Sequence, residues 1–187
     1  MPLEAYADTV RAHVVRHPSP ATLDALFPLA EALSELAART RVAPREVPYA
    51  RYLLHADPAG RFNVQLDVFS RGYTGGVHAH GTWGIFTVLR GGLWVDDFEE
   101  RDGTVSTTRR TWAGVGAVQA FCPPRSDWHR VSTREGGEQT VSVHVYGPGF
   151  DLDTGVALGA DGQPRSYRRG PLGDLSALEG FLLPAGA

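Results

Sequence analysis

With 187 residues, 42% of them hydrophobic and 21% charged, the chain falls in the ordinary globular range, and its length predicts one domain. A single cysteine, Cys122, excludes an intramolecular disulfide and a cysteine-based zinc cluster, and a formal charge of −3 with scattered basic residues argues against nucleic acid as a partner. No apolar run approaches the ~20 residues of a membrane span, and the N-terminus lacks the basic-then-apolar pattern of a signal peptide, so the expected compartment is the cytoplasm, with no membrane partner.

The first forty residues read as helical. Residues 3–15 are rich in Ala, Val and Leu, and Ser19-Pro20 offers an N-cap followed by a proline suited to a first helical position. Leu23, Leu26, Phe27, Leu33 and Leu36 then form an apolar stripe, which Pro28 should kink or divide. This region, residues 1–47, is expected to be a helical cap packed on a sheet.

After Pro48 the texture changes. Phe62, Val64, Leu66 and Val68 alternate with Asn63, Gln65 and Asp67, the period of a half-buried strand. Short β-rich segments follow at 85–89, 93–95, 105–112, 115–121, 129–132 and 141–146, separated by Gly, Pro and Asp turns, and Asp161-Gly162 reads as a hairpin turn. Regularly spaced short strands of this kind predict an antiparallel sandwich or barrel over residues 48–170, followed by a C-terminal tail at 171–187. Arg109-Arg110 and Arg165 with Arg168-Arg169 read as solvated edges, and His13, His17 and His55, the last placed in a turn, read as structural or solvated.

His78-Ala79-His80 is the first chemical feature: on a strand, residues two apart face the same way, so both imidazoles can reach one ion. Such pairs are also common on ordinary surfaces. Ser142, His144 and Tyr146 alternate with valines. On an outward face they would be solvated; on an inward face they need mutual hydrogen bonds, Ser142 with His144 and His144 with the Tyr146 hydroxyl, a relay that would aim one phenol at a ligand.

Five residues separate Gly72 from His78, three separate His80 from Gly84, and six more lead to Gly91. This resembles the first motif of the cupin superfamily, with Gly84 where that motif has glutamate. Pro124-Arg125-Ser126-Asp127-Trp128-His129 resembles the second, Pro-x-Gly-x-x-His, with Ser126 for its glycine. Together with the Ser-x-His-x-Tyr strand and the missing glutamate, the chain resembles the thiol dioxygenases, a family that includes cysteine dioxygenase and 3-mercaptopropionate dioxygenase. The resemblance runs from about Tyr49 to Tyr146. It implies a mainly β fold, the cupin double-stranded β-helix (a jelly-roll-like barrel) with N-terminal α-helices, and Fe(2+) held by His78, His80 and His129. The implied reaction adds O2 to a small carboxylate-bearing thiol, L-cysteine or a 3-mercaptopropionate-like compound, to give a sulfinate, with Tyr146, His144 and Ser142 assisting.

Residues 49–54 resemble the strand that carries a substrate-binding arginine in the cysteine branch. Arg51 is thereby implied as the carboxylate clamp, and Tyr49 should face the same way. Gly149-Phe150-Asp151 is also similar to that branch, whereas Trp83-Gly84 is similar to the mercaptopropionate branch and implies Trp83 as a pocket residue. That second branch has an arginine soon after the tyrosine of the Ser-His-Tyr strand; residues 147–155 contain none. Two departures stand out. Gly84 cannot form the cysteine–tyrosine cross-link of some cysteine dioxygenases, so Tyr146 is expected unmodified. Ala79 replaces an aspartate frequent between the first two histidines, which implies a changed surround with retained metal binding. Cys122 reads as a small core residue. Three histidines equally suit zinc, so a Zn- or Mn-dependent isomerase or hydrolase, and a non-catalytic ligand-binding cupin, are the rival readings.

Overall fold

All seven positions of the strand Asn63–Phe69 are buried, although polar and apolar side chains alternate along it. The same holds for Thr140–Tyr146. A strand buried on both faces needs a cover on each side, and the fold supplies one of each kind: helices outside, a second sheet inside. The computed structural model describes residues 3–16, 26–38, 40–42, 49–101, 104–123, 127–178 and 182–184.

Two helices come first, α1 (Leu3–Arg16) and α2 (Phe27–Ala38). Then follow β1 (Thr40–Val42), β2 (Ala50–Ala56), β3 (Asn63–Phe69), β4 (His78–Ala79), β5 (Gly84–Arg90), β6 (Gly92–Arg101), β7 (Thr104–Gly114), β8 (Val118–Phe121), β9 (His129–Ser132), β10 (Thr140–Tyr146), β11 (Thr154–Leu158), β12 (Pro164–Arg168), a 3-10 turn Leu175–Leu178 and β13 (Leu182–Pro184). One sheet has the order β2-β3-β10-β5-β8, a second the order β12-β11-β4-β9-β6-β7, and β1 pairs with β13. The protein is thus mainly β, two antiparallel sheets with N-terminal helices, as the sequence predicts.

The helical cap forms because its apolar residues recur at helical spacing. Tyr6, Val10 and Val14 of α1 and Leu29, Leu33 and Leu36 of α2 make one core with Val64, Leu66 and Val68 of β3 and Val141, Val143 and Val145 of β10. Full burial of each such side chain contributes roughly 1.5–3 kcal/mol relative to exposure. Pro28, expected to kink or divide a longer helix, instead occupies the second position of α2, where its missing N–H costs nothing. Ser19-Pro20 and Leu23 lie outside the described residues.

The opposite face of the first sheet looks into the barrel. Phe69, Phe86, Val88, Leu93, Val95, Ala113 and Val131 fill part of that interior with an apolar cluster. The rest is polar: Arg51, Gln65, Asp67, Ser142 and His144 are all buried. Asn63, Gln65 and Asp67 therefore do not face water. Two smaller expectations also shift. His55 lies within β2, its ring stacked on Phe62 at 5.5 Å, rather than in a turn. The strand predicted at 115–121 begins at Val118, because Gly116 takes a positive φ of 79° in the preceding turn.

Both ends of the chain are tied to the barrel. Asp57, buried after β2, accepts hydrogen bonds from Arg11 Nε of α1 (3.3 Å) and from Arg61 Nε and Nη2 (2.7 Å each). The tail returns across β2, where the Gly173 N–H donates to the Arg51 carbonyl at 2.7 Å.

The Arg61 and Arg11 guanidiniums hold the Asp57 carboxyl well below the usual carboxylate range. Its contribution is present above the unfolded value near pH 4 and is lost as pH falls toward the folded one. Asp57→Ala is expected to cost about 2 kcal/mol in urea unfolding at pH 7, with the gap to the parent protein narrowing below about pH 4.

Candidate metal centre and cavity

His78 on β4 is the register partner of His129 on β9. His80 follows directly after β4, before Gly81 turns the chain with a φ of 71°. One ring nitrogen from each of the three histidines lies within 4.8 Å of the other two, which makes this cluster able to hold a metal ion. The rings are packed together, with His78 and His129 centroids 4.6 Å apart and His80 4.9 Å from each of the others.

The orientation of each ring has a local cause. His78 Nδ1 lies 3.0 Å from the Gly76 carbonyl oxygen, and His129 Nδ1 lies 2.9 Å from that of Asp127. A carbonyl only accepts, so Nδ1 carries the proton in both rings and Nε2 keeps its lone pair. His80 Nδ1 lies 3.3 Å from Asp127 Oδ1, whose carboxylate also accepts the backbone N–H of His80 (2.9 Å) and Gly81 (2.7 Å). Burial lowers the pKa of all three histidines below the ordinary imidazole value, His80 and His129 strongly, and their mutual proximity lowers those two further. At neutral pH they are three neutral nitrogen donors. That donor set fits a divalent first-row metal.

Gly84 has a steric cause. A Cβ there would come 2.1 Å from the Phe121 ring, and that ring stacks on His80 at 4.6 Å. Phe121 fills the space that a side chain at position 84 would need. Cys122, next in the chain, is buried in the core, as expected.

Beside the histidines lies a cavity of about 280 Å³, lined by Tyr49, Arg51, Asp67, Tyr146, Phe150 and Arg169 among others. Ser142 Oγ is 2.7 Å from His144 Nε2, and His144 Nδ1 is 3.2 Å from the Tyr146 hydroxyl. The row expected from the sequence therefore exists, on the inward face of β10. Burial, with His78 nearby, pulls His144 down to about 3, and burial pushes the Tyr146 phenol well above its ordinary value. At neutral pH the imidazole is uncharged and the phenol keeps its proton. The Tyr146 ring stacks on Phe150 at 3.9 Å and on His80 at 5.0 Å, and His80 and Phe150 also meet directly at 5.8 Å.

Tyr49 and Arg51 line the cavity from β2 and its approach. Tyr49 stacks on Tyr73 at 5.0 Å. Arg51 is buried, and its Nη2 donates to the Leu152 (3.1 Å) and Gly170 (2.5 Å) carbonyls while Nη1 reaches Gln65 Oε1 at 3.4 Å. Its Nε makes no hydrogen bond and remains a buried donor.

Trp83 does not line the cavity. It is buried in the core under the helices, its indole against Gly147. Side chains alternate along the strand, and because Gly84 faces the inward Phe121 and Tyr146, position 83 must face outward. Pro124, Arg125 and Ser126 of the second motif lie outside the described residues.

Several cavity residues escaped the sequence reading. Gln65 and Asp67 are inward, and burial pushes the Asp67 carboxyl up to about 7 even though Arg51 and Arg169 act against the rise. Arg169, read as part of a solvated edge, lines the cavity together with Tyr167. A signal was present: Tyr167-x-Arg169 repeats the spacing of Tyr49-x-Arg51, and both pairs line the same cavity.

No family model matches the chain. Among solved structures it is similar to an RmlC-like cupin protein from Ralstonia eutropha (11% identity over 68% of this chain and 80% of that one, TM-score 0.44). It is similar as well to a cupin superfamily protein from Desulfitobacterium hafniense (13%, 65% and 88%, 0.43). A third is an RmlC-like cupin with a double-stranded β-helix fold from Methanocaldococcus jannaschii (9%, 58% and 88%, 0.42).

Loss of the Asp127 carboxylate should weaken metal binding without removing a donor. Asp127→Ala is expected to lower the affinity for one divalent ion by about 10–100-fold, measured by chelator competition. His80→Ala should abolish stoichiometric binding.

Proposed function

We propose that the chain is a cupin-fold thiol dioxygenase that holds Fe(2+) through His78, His80 and His129. It adds O2 to a small carboxylate-bearing thiol of the L-cysteine or 3-mercaptopropionate type. The observation that carries this reading is the hydrogen-bonded row Ser142–His144–Tyr146 ending in a phenol stacked on His80. A structural histidine cluster has no use for a protonated phenol held beside it.

The reaction balances without another reductant. A thiolate and O2 give a sulfinate: the sulfur loses four electrons, and the two oxygen atoms, both retained in the product, gain them. A ferrous ion held by His78, His80 and His129 would keep its full +2 charge, since all three imidazoles are uncharged, and would supply thiolate binding and redox chemistry with dioxygen.

The chain's own residues do the rest. Tyr146 keeps its proton and can donate it toward the reacting oxygen or sulfur, while His144 and Ser142 fix the direction of the hydroxyl. Arg51, which lines the cavity, is the cation available to a substrate carboxylate and would, through it, orient the thiol. Phe121 and Phe150 flank His80 on ring contacts of 4.6 and 5.8 Å and restrict water at that side. Since Gly84 offers no sulfur, Tyr146 works unmodified.

Small thiol and O2 are the partners, with no role for nucleic acid. The cytoplasm is the fitting compartment, since reducing conditions preserve both a ferrous ion and a free thiol. Among the described residues no helix is long and apolar enough to cross a membrane.

Anaerobic loading with Fe(2+), followed by oxygen uptake on a panel of small thiols, tests the reading. Carboxylated thiols are expected to give one sulfinate per O2, and a panel yielding none removes the proposal. Tyr146→Phe should lower kcat by about 100-fold or more with metal content unchanged. Arg51→Ala should raise KM for carboxylated thiols by about 10–100-fold and leave cysteamine nearly unaffected. Equal effects on both would remove Arg51 as the clamp.

A further inference from the structure

Asp67 stands beside the Ser142–His144–Tyr146 row without being bonded into it. On β3 it is the register partner of Ser142 on one side and of Arg51 on the other. Its Oδ2 lies 3.8 Å from His144 Nε2, and its Oδ1 is buried with no hydrogen-bond partner. Since His144 is uncharged at neutral pH, this approach is not an ion pair. A buried carboxyl next to a neutral imidazole still acts on one thing, the choice of ring nitrogen that carries the proton.

The row itself leaves that choice open. Ser142 Oγ sits 2.7 Å from Nε2 and the Tyr146 hydroxyl 3.2 Å from Nδ1, and a hydroxyl can donate or accept. His78 and His129 differ, because each turns its Nδ1 to a carbonyl that only accepts. Two directions follow for the row. In one, Ser142 donates to Nε2, Nδ1–H donates to the Tyr146 oxygen, and the phenolic proton is free to point into the cavity. In the other, Nε2–H donates to Ser142 Oγ and Tyr146 donates to Nδ1, so the phenol turns only lone pairs to the cavity.

The charge on Asp67 separates the two. An ionised carboxylate at this distance repels a lone pair on Nε2 and attracts an N–H there, with little solvent to screen the effect. A protonated carboxyl presents an O–H dipole instead, which favours the lone pair. The groups that face Asp67 around the cavity are Arg51 and Tyr49 at β2, Tyr73 between β3 and β4, Tyr146 on β10, and Tyr167 and Arg169 at β12. Burial pushes the Asp67 carboxyl up to about 7, against the opposing pull of Arg51 and Arg169. Burial also raises the Tyr49, Tyr73 and Tyr146 phenols, which keep their protons at neutral pH, and the three clustered histidines are neutral there. A divalent ion on those histidines would lower the Asp67 transition, and a thiolate on that ion would raise it again.

We infer that Asp67 is a positioning residue that sets the direction of the row: protonated, it lets Tyr146 donate into the cavity, and ionised, it turns the Tyr146 proton back onto His144. This deepens the thiol-dioxygenase reading and rests on it for the use of the phenol. The direction of the row rests on Asp67, Ser142, His144 and Tyr146 alone.

Protonated and lone-pair ring nitrogens resonate far apart, so NMR of isotope-labelled histidine rings reads the tautomer directly. His144→Gln identifies the His144 signals. The protein is titrated metal-free and loaded with Zn(2+), which is diamagnetic. The His144 proton is expected on Nδ1 below the Asp67 transition and on Nε2 above it, with a midpoint of about 7 in the metal-free protein. Asp67→Asn and Asp67→Ala should both abolish the pH dependence, the amide variant holding the proton on Nδ1. On the Fe(2+)-loaded protein, kcat for carboxylated thiols should fall about tenfold or more as pH rises through the transition. Neither Asp67→Asn nor Tyr146→Phe should show that fall.

A His144 tautomer that ignores pH, or that changes identically in Asp67→Asn, overturns the inference. A tautomer that follows Asp67, with no sulfinate from any thiol, keeps the positioning role and removes the dioxygenase. Sulfinate formed with one pH profile in the parent and in Asp67→Asn, and with a fixed tautomer, does the reverse.

Discussion

Three Nδ1 hydrogen bonds directed away from the cavity are the constraint on which the site depends. An imidazole has two nitrogens, and a metal centre needs to know which one will be offered. Here the backbone decides for His78 and His129, through the carbonyls of Gly76 and Asp127, and the Asp127 carboxylate decides for His80. Asp127 does so twice over, with its side chain for one histidine and its main chain for another. The same carboxylate accepts the His80 and Gly81 N–H groups at the end of β4 and so fixes where the chain turns. Tautomer, ring orientation and backbone path are therefore set by one short set of bonds. A strand of only two residues can hold a metal ligand because of them.

Such a site requires polar side chains inside a barrel, and each must find a partner there. The five-stranded sheet meets this requirement by dividing its two faces. Valines 141, 143 and 145 hold the helical cap, while Ser142, His144 and Tyr146 satisfy one another inside. β3 repeats the division, with Gln65 donating to Asn63 at 2.7 Å. Arg51 Nε and Asp67 Oδ1 are among the buried groups without hydrogen-bond partners, and both residues line the cavity. Unsatisfied groups placed there are the expected mark of a ligand site.

What could be read from the sequence is what depends on short spacing. His78 and His80 two apart, and Ser142, His144 and Tyr146 two apart, carry their shared face in the strand period itself, and the structure brings each set together. The alternation of 62–68 identified β3 but not its environment, since the pattern of a half-exposed strand is also that of one covered on each side by different material. Trp83 was misplaced although alternation with Gly84 would have put it outward; proximity to the histidines in sequence is not proximity on a face. Arg169 was missed because its partners, the Asp151 and Thr154 carbonyls, the Tyr167 hydroxyl and the Phe150 ring, belong to a fold-back through the β11–β12 hairpin that no local pattern reveals.

Gly84 and Phe121 connect these strands of reasoning. A carboxylate at position 84 would add a negative charge beside the histidines, and the glycine leaves that charge out. Its absence is not a void, because Phe121 occupies the space and lies against both His80 and His129. The glycine thus has two consequences. It preserves the positive potential of any cation held there, and it lowers the local polarity so that the potential is less screened. Around the same cavity stand the Arg51 and Arg169 guanidiniums, which form no ion pair among the described residues, and the buried Asp67 carboxyl, which feels both.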